Sequence, residues 1–193
     1  RALAAKEKGF KIIVCSKKNK HKELIEKNGF DFYSIPFDRK SINPFYELFI
    51  LLRIIYLYKK ISPDIVHHIA FKPIIYGSIA SKISKIKSVI NAPVGMGYVF
   101  SSDSLKAFLL KPMLKLLIIN FMNTHRGNNR KCKIIFENQD DLNYFIRIGA
   151  TNKIDSCLIR GAGVQLNKKV YFYRNNKIPF IAIVARMLKD KGV

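Results

Sequence analysis

Ser62-Pro63-Asp64-Ile65-Val66-His67 marks the point where one element stops and another begins, and the alternation on either side of it decides the fold. Proline cannot continue a helix, so the apolar helical run before it has to end at Ile61. Residues 64–67 then read as a short apolar strand, 73–85 as a helix, and Ser88-Val89-Ile90-Asn91 as a second strand. A strand, a helix and a strand in succession form a βαβ unit, and such units build parallel sheets.

Outward from that unit the alternation continues. Upstream, residues 11–15 form a strand after Gly9, 21–28 a helix stopped by Asn28-Gly29, and 30–35 a strand ended by Pro36. Asn43 caps a long helix with Pro44 at its first position, where a missing N–H costs nothing. Downstream come a helix over 103–121 kinked near Pro112, a strand over 133–137, a helix over 140–148 ended by Gly149, and a strand over 156–159. A polar stretch from Asn167 to Lys177 precedes a new apolar strand at 180–184. The expected fold is α/β, a Rossmann-like doubly wound parallel sheet over 1–168, a linker over 169–177, and the start of a second α/β domain over 178–193. The chain opens on Arg1 without Met, as if in mid-helix, and closes on a loop about to enter a helix. The expectation is therefore a fragment, truncated at both ends.

Composition bounds the function. With 49% hydrophobic and 12% aromatic residues in 193, the chain is neither disordered nor collagen-like. Cys15, Cys132 and Cys157 are odd in number and unpaired in spacing, so a disulfide framework and a zinc ribbon are both unexpected, and a reducing cytoplasmic compartment is expected. No His, Cys and carboxylate cluster has ligand spacing, so no metal and no cofactor are expected. Lys+Arg number 35 against 13 Asp+Glu, a net charge of +22. That charge suits a polyanionic surface, but Lys, Ile and Asn are also what an AT-rich gene encodes. Both readings stay open. Nucleic acid is not the expected partner, because the sequence has no RNP-like aromatic pair, no Cys/His finger and no recognition helix.

Two helices bear on membranes. Over 45–58 apolar residues lie nearly all round the wheel, so the helix is either buried on most sides or leans on a membrane; packing is the expectation adopted. Over 105–122, Lys111 and Lys115 share a face opposite Leu110, Met113, Leu114 and Leu117. That is an amphipathic helix with a basic face, fit for an interface or for an ordinary surface over the sheet.

The candidate functional residues lie after strands. His67 stands at the carboxyl edge of its strand, where open α/β sheets bind ligands, although a lone His there is as often a core or capping residue. His68 beside it is assigned no role. Asn91-Ala92-Pro93-Val94-Gly95-Met96-Gly97-Tyr98 is a glycine-containing loop without a phosphate-binding Lys, and Gly161-Ala162-Gly163 is either a close-approach loop or a turn. Arg186, Lys189 and Lys191 come after the last strand, where cations before a helix N-terminus suit a diphosphate; a solvated charge cluster is the plainer alternative.

Taken in order, Gly9-Phe10, Pro63-Asp64-Ile65-Val66-His67, Ile134-Ile135-Phe136-Glu137-Asn138, Gly161-Ala162-Gly163-Val164 and Ala185-Arg186-Met187-Leu188-Lys189-Asp190-Lys191-Gly192-Val193 resemble glycosyltransferase family four over essentially the whole chain. The last segment is similar to the family's G-R-L-x-x-x-K-G element, with Ala185 in place of Gly. Lys72-Pro73, Tyr76-Gly77-Ser78 and Gly95-Met96-Gly97-Tyr98-Val99-Phe100-Ser101 resemble one bacterial branch that adds sugars to lipid-linked glycans for capsule, O-antigen or glycoprotein assembly.

The resemblance implies a two-domain GT-B architecture and transfer of a hexose or N-acetylhexosamine with retention. It implies a nucleotide-sugar donor, UDP-linked, a lipid-linked sugar acceptor, and a cytoplasmic protein peripheral on the inner face of the membrane. Arg186 and Lys191 match the pair that binds the donor diphosphate. Gly161 and Gly163 match the cleft-side hinge loop, and His67, Lys72, Gly95 and Gly97 fall on acceptor-side loops. The family's usual His-Gly pair after the strand ending at Asn91 is absent, so no catalytic residue is assigned. The resemblance also places the first strand and its glycine loop before residue 1 and the carboxylate motif beyond Val193, so this chain alone is expected to be inactive. Two alternatives remain: a non-catalytic basic membrane-binding α/β module, and a GT-B-like sugar-nucleotide epimerase.

Overall fold

The computed structural model of the chain describes residues 2–18, 20–38, 41, 43–94, 115–116, 118–119 and 131–160. Its longest element, α3 (Pro44–Ile61), forms where the capping signals place it. The Asn43 carboxamide oxygen accepts from the backbone N–H of Phe45 at 3.0 Å and of Tyr46 at 3.4 Å, satisfying two of the donors that a helix start leaves unpaired. Ser62 closes the helix in the left-handed region (φ 48°), its N–H donating to Tyr58 O at 2.8 Å. Pro63 then prevents any continuation.

The other described elements are α1 (Ala2–Glu7), β1 (Ile13–Ser16), α2 (Lys22–Lys27), β2 (Asp31–Ser34), β3 (Ile65–Ile69), α4 (Phe71–Ile83), β4 (Ser88–Ala92), β5 (Lys131–Phe136), α5 (Gln139–Arg147) and β6 (Ser156–Leu158). Every pairing among the described strands is parallel. β1 pairs with β2, and β3, β4, β5 and β6 lie side by side in that order, with Val66 opposite Val89, Val89 opposite Cys132 and Ile135 opposite Cys157. The expected α/β class and parallel strands are present, but the described strands form two sheets and not one. Gly29 (φ 73°) and Gly149 (φ 74°) carry the positive backbone angles that end the helices before them, as the sequence implies.

The core lies between the sheets' strands and α3, α4 and α5. Ile35, Ile50, Ile54, Leu57 and Ala80 form one buried cluster; Ile74, Ile134, Phe136 and Phe145 anchor a second; Val66, Ile86 and Val89 meet Tyr58 in a third. Alternation along β3 turns Val66 and His68 into this packing, while Ile65, His67 and Ile69 face the other way.

Two expectations need correction. The helix expected over 73–85 starts at Phe71, because proline in a first turn forfeits no hydrogen bond and need not sit at the first position. And α3 is not buried on most sides: Ile50, Ile54 and Leu57 face the core, while Phe45, Leu52 and Tyr56 are exposed. Among the described residues no helix is long and apolar enough to cross a membrane. The linker, the second domain, Gly95, Gly97, Gly161, Gly163, Arg186 and Lys191 lie outside the described residues. So does most of the 105–122 helix, of which Lys115, Leu116, Ile118 and Ile119 are helical, with Ile118 buried.

Candidate functional site at the carboxyl edge of the sheet

Parallel strands bring their carboxyl ends to one edge, so the segments leaving β3 and β4 emerge together there, and contacts from Lys72 bring the segment after β2 to the same place. β3 leaves through Ala70, whose N–H donates to Ala92 O at the end of β4 at 3.0 Å. Ala70 adopts φ 73° and ψ 160°, a region that residues other than glycine rarely occupy. This turn launches α4 from the edge and puts Lys72 and Tyr76, one helical turn apart, on the same face.

Lys72 is fully committed. Its ammonium donates to Asp38 O at 2.7 Å, to Ser41 O at 2.8 Å and to Glu47 Oε1 at 2.6 Å. Glu47, in the first turn of α3, accepts from the Tyr76 hydroxyl through Oε2 at 2.6 Å. One carboxylate thus ties two residues of α4 to α3, and the lysine clamps the segment between β2 and α3 through two of its carbonyls. The pair is mostly shielded, with side-chain exposures of 29% for Lys72 and 16% for Glu47. Burial pushes the Glu47 carboxyl up, but hydrogen bonds from Lys72, Tyr76 and Ser41, with the charge of Lys72, outweigh it and hold the group below its ordinary value. The Tyr76 hydroxyl is raised, by burial first and then by donating to an anion.

A second network lies deeper, on the neighbouring face of α4. His68 Nδ1 lies 2.8 Å from Asn91 Oδ1 and Nε2 lies 2.9 Å from the Tyr58 hydroxyl. Asn91 Oδ1 can only accept, so Nδ1 carries the proton and Nε2 accepts from Tyr58, which satisfies a neutral imidazole at both nitrogens. The Asn91 amide extends towards Ser78 Oγ at 3.5 Å, and the Tyr58 and His68 rings stack with centroids 6.2 Å apart. Gly77 makes room for this: a Cβ there would run into the His68 ring. Burial pushes the Tyr58 hydroxyl well above its ordinary value.

The sequence-predicted residues therefore separate. Lys72 stands at the carboxyl edge, but all three of its donors serve the fold. His67 is exposed on the sheet face opposite α3 and α4, inside β3 and not at its end, because the strand continues to Ile69. His68, assigned no role from the sequence, is buried and joins β3 to β4 and α3. Glu47 was missed altogether; its only sequence signal is an acidic residue in a capped first turn, which ordinarily means a favourable helix dipole. The described residues hold no group of His, Cys and carboxylates able to bind a metal ion.

The chain is 25% identical over 205 residues to N,N'-diacetylbacillosaminyl-diphospho-undecaprenol alpha-1,3-N-acetylgalactosaminyltransferase of Campylobacter jejuni subsp. jejuni serotype O:2, an alignment covering 98% of this chain and 52% of the relative. The chain thus spans about half the length of that relative. A glycosyltransferase from Rickettsia africae ESF-5 superposes with a TM-score of 0.53 at 16% identity, over 82% of this chain and 37% of that one. MurG of Acinetobacter baumannii gives a TM-score of 0.38 at 13% identity, over 85% and 61% respectively. The architecture shared with the Rickettsia protein is a parallel α/β fold. The family profile described as "Glycosyl transferase 4-like" matches residues 1–125, well over half of the sequence, and the chain belongs to that family.

Proposed function

We propose that the protein of which this chain forms a part transfers a hexose or N-acetylhexosamine from a UDP-sugar to a sugar carried on a polyprenyl diphosphate, with retained anomeric configuration, at the inner face of the cytoplasmic membrane. The observation that carries the reading is the alignment of nearly the whole chain with a transferase whose acceptor is a diphospho-undecaprenol glycan. In this reading residues 1–168 form the acceptor-side domain, 169–177 the linker and 178–193 the start of the donor domain.

Arg186 and Lys191 neutralise the donor diphosphate. Fixed cations stabilise a leaving group most where its charge grows, as the bond from sugar to phosphate breaks. Gly161 and Gly163 let the backbone approach the cleft, and Gly95 and Gly97 line the acceptor side. Lys72 acts as a positioning residue: with Glu47 and Tyr76 it fixes the segment after β2, and so shapes the edge against which the acceptor sugar lies.

The test is single-turnover transfer by the intact protein from a panel of UDP-sugars, UDP-N-acetylgalactosamine among them, to short lipid-linked acceptors. Arg186→Ala and Lys191→Ala are measured beside it. Transfer that collapses in both variants while the fold persists is the expected result. Absence of transfer from every donor, with binding to lipid intact, overturns the reading in favour of a non-catalytic membrane module.

A further inference from the structure

We propose that the outer face of α3 is a docking surface for an anionic phospholipid bilayer. The inference rests on the transferase reading above only for its biological sense; its physical grounds are independent. Phe45, Leu48, Phe49, Leu52 and Tyr56 are all exposed, Phe45 to 83% and Tyr56 to 66%. At about 100° per residue these five fall within roughly 100° of arc, opposite Ile50, Ile54 and Leu57. They make an apolar ridge about 16 Å long at 1.5 Å per residue. Isolated exposed apolar side chains are ordinary, but five large ones along one helix face are a patch that calls for a partner.

Charge identifies the partner. Arg53, Lys59 and Lys60 are exposed on the flanks and the carboxyl end of the ridge. The one carboxylate of α3, Glu47, points away from it into the ion pair with Lys72. An apolar face bordered by cations and free of acids matches the boundary between acyl chains and anionic headgroups, where such helices lie in the plane of the membrane. The helix is not apolar enough to cross it. A second copy of the chain is the poorer occupant, since each copy brings the same cations and a net charge of +22. The ridge also begins beside the Asn43 cap, so a docked α3 holds the carboxyl edge and its Lys72 clasp at the lipid surface, where a lipid-linked sugar would be met.

The chain contains no Trp, so Phe45→Trp supplies a single fluorophore at the exposed end of the ridge. The intact protein carrying it, with any Trp elsewhere replaced, is mixed with vesicles of equal parts phosphatidylcholine and phosphatidylglycerol, without donor or acceptor sugar. A blue shift of the emission that is absent with phosphatidylcholine alone is the expected result. In sedimentation with the same vesicles, combined Phe45→Gln, Leu52→Gln and Tyr56→Gln should weaken binding about a hundred-fold, because three large side chains no longer leave water. Lys59→Gln with Lys60→Gln should weaken it several-fold and flatten its salt dependence. Circular dichroism confirms the fold, and Phe45→Gln alone serves should the triple variant fail to fold. Unchanged vesicle binding by a folded ridge variant overturns the proposal, as does a dimer that the ridge variant converts to monomer with vesicle binding intact. Failure of the transferase reading looks different: vesicles are bound, the ridge variants lose that binding, and no sugar is transferred.

Discussion

Two polar networks share helix α4, and they solve opposite problems. The inner one, His68 with Asn91, Tyr58 and Ser78, is neutral and mostly buried, and it joins β3, β4, α3 and α4 where no loop is involved. The outer one, Lys72 with Glu47 and Tyr76, is ionic and partly open to water, and its further partners are backbone carbonyls of an irregular segment. A buried network with every member satisfied fixes one arrangement of the core, since losing any partner strands a desolvated group. An ionic clasp at the edge can hold a loop that has no packing of its own, at the cost of sensitivity to pH and salt. The residue pattern Lys72, Tyr76, Gly77, Ser78 is thus divided between scaffold and site.

That division breaks most visibly at Gly77. Gly77→Ala places a methyl group against the His68 ring, which has partners on both nitrogens and cannot swing away without abandoning them. A loss of about 3 kcal/mol is expected from overpacking and broken hydrogen bonds, read as a lower urea midpoint with unchanged slope. A variant as stable as the parent would mean that the inner network carries little of the stability. The outer clasp should yield less. Glu47→Ala leaves Lys72 and Tyr76 without their anion and should cost about 2 kcal/mol, moderated by the remaining exposure of the pair. Because the fold holds the Glu47 carboxyl below its ordinary value of 4.5, its contribution is present above that pH and is lost as the pH falls through the lower, folded value. The stability difference between parent and Glu47→Gln should therefore shrink on acidification. In transfer assays Glu47→Gln should raise KM for the acceptor and leave KM for the donor unchanged, a split that a general loss of folded protein does not produce.

Legibility in the sequence divides along the same line. Local signals sufficed where the physics is local. Asn43-Pro44 opened α3, Ser62-Pro63 closed it, and Gly29 and Gly149 terminated helices through their own backbone angles. Strand ends moved by a residue or two, and one such shift decided the fate of the histidines. Residues 64–67 read as a complete strand put His67 at the edge, whereas pairing of Ile69 with Ala92 lengthens β3 and leaves His67 on its outer face and His68 in the core. Period two says that neighbours point apart, but which one points inward is set by the helices that cover the sheet. The Lys72–Glu47 pair was illegible for a different reason. The residues are 25 apart in sequence, and in a chain so rich in lysine no single cation stands out until folding selects its partner. The resemblance to glycosyltransferases was readable from motif order alone, and the family match supports it.

A sharper version of the comparison lies in the turn that separates the two networks. Ala70 holds φ 73° and ψ 160° between β3 and α4, with its N–H bonded to Ala92. Such a conformation costs a residue with a Cβ roughly 1–3 kcal/mol, and glycine escapes that cost while adding up to about 1 kcal/mol of unfolded-state entropy. Ala70→Gly is therefore expected to stabilise the protein by about 1 kcal/mol, measured as a higher thermal midpoint. A destabilised variant would show that the Ala70 methyl makes packing contacts worth more than the strain.

The exposed pair Lys22–Glu26, one turn apart on α2 at 3.3 Å, supplies the lower bound. Both side chains are more than a third exposed, so water and salt already weaken their attraction. Glu26→Gln should change stability by less than about 0.5 kcal/mol in a denaturant titration. The 2.6 Å contact between Lys72 and Glu47 and the 3.3 Å contact between Lys22 and Glu26 join the same residue types. If the surface pair proved as costly to break as the clasp, shielding from water would not be what distinguishes them. The case for Glu47 as the residue that positions the edge would then have to stand on the acceptor KM alone.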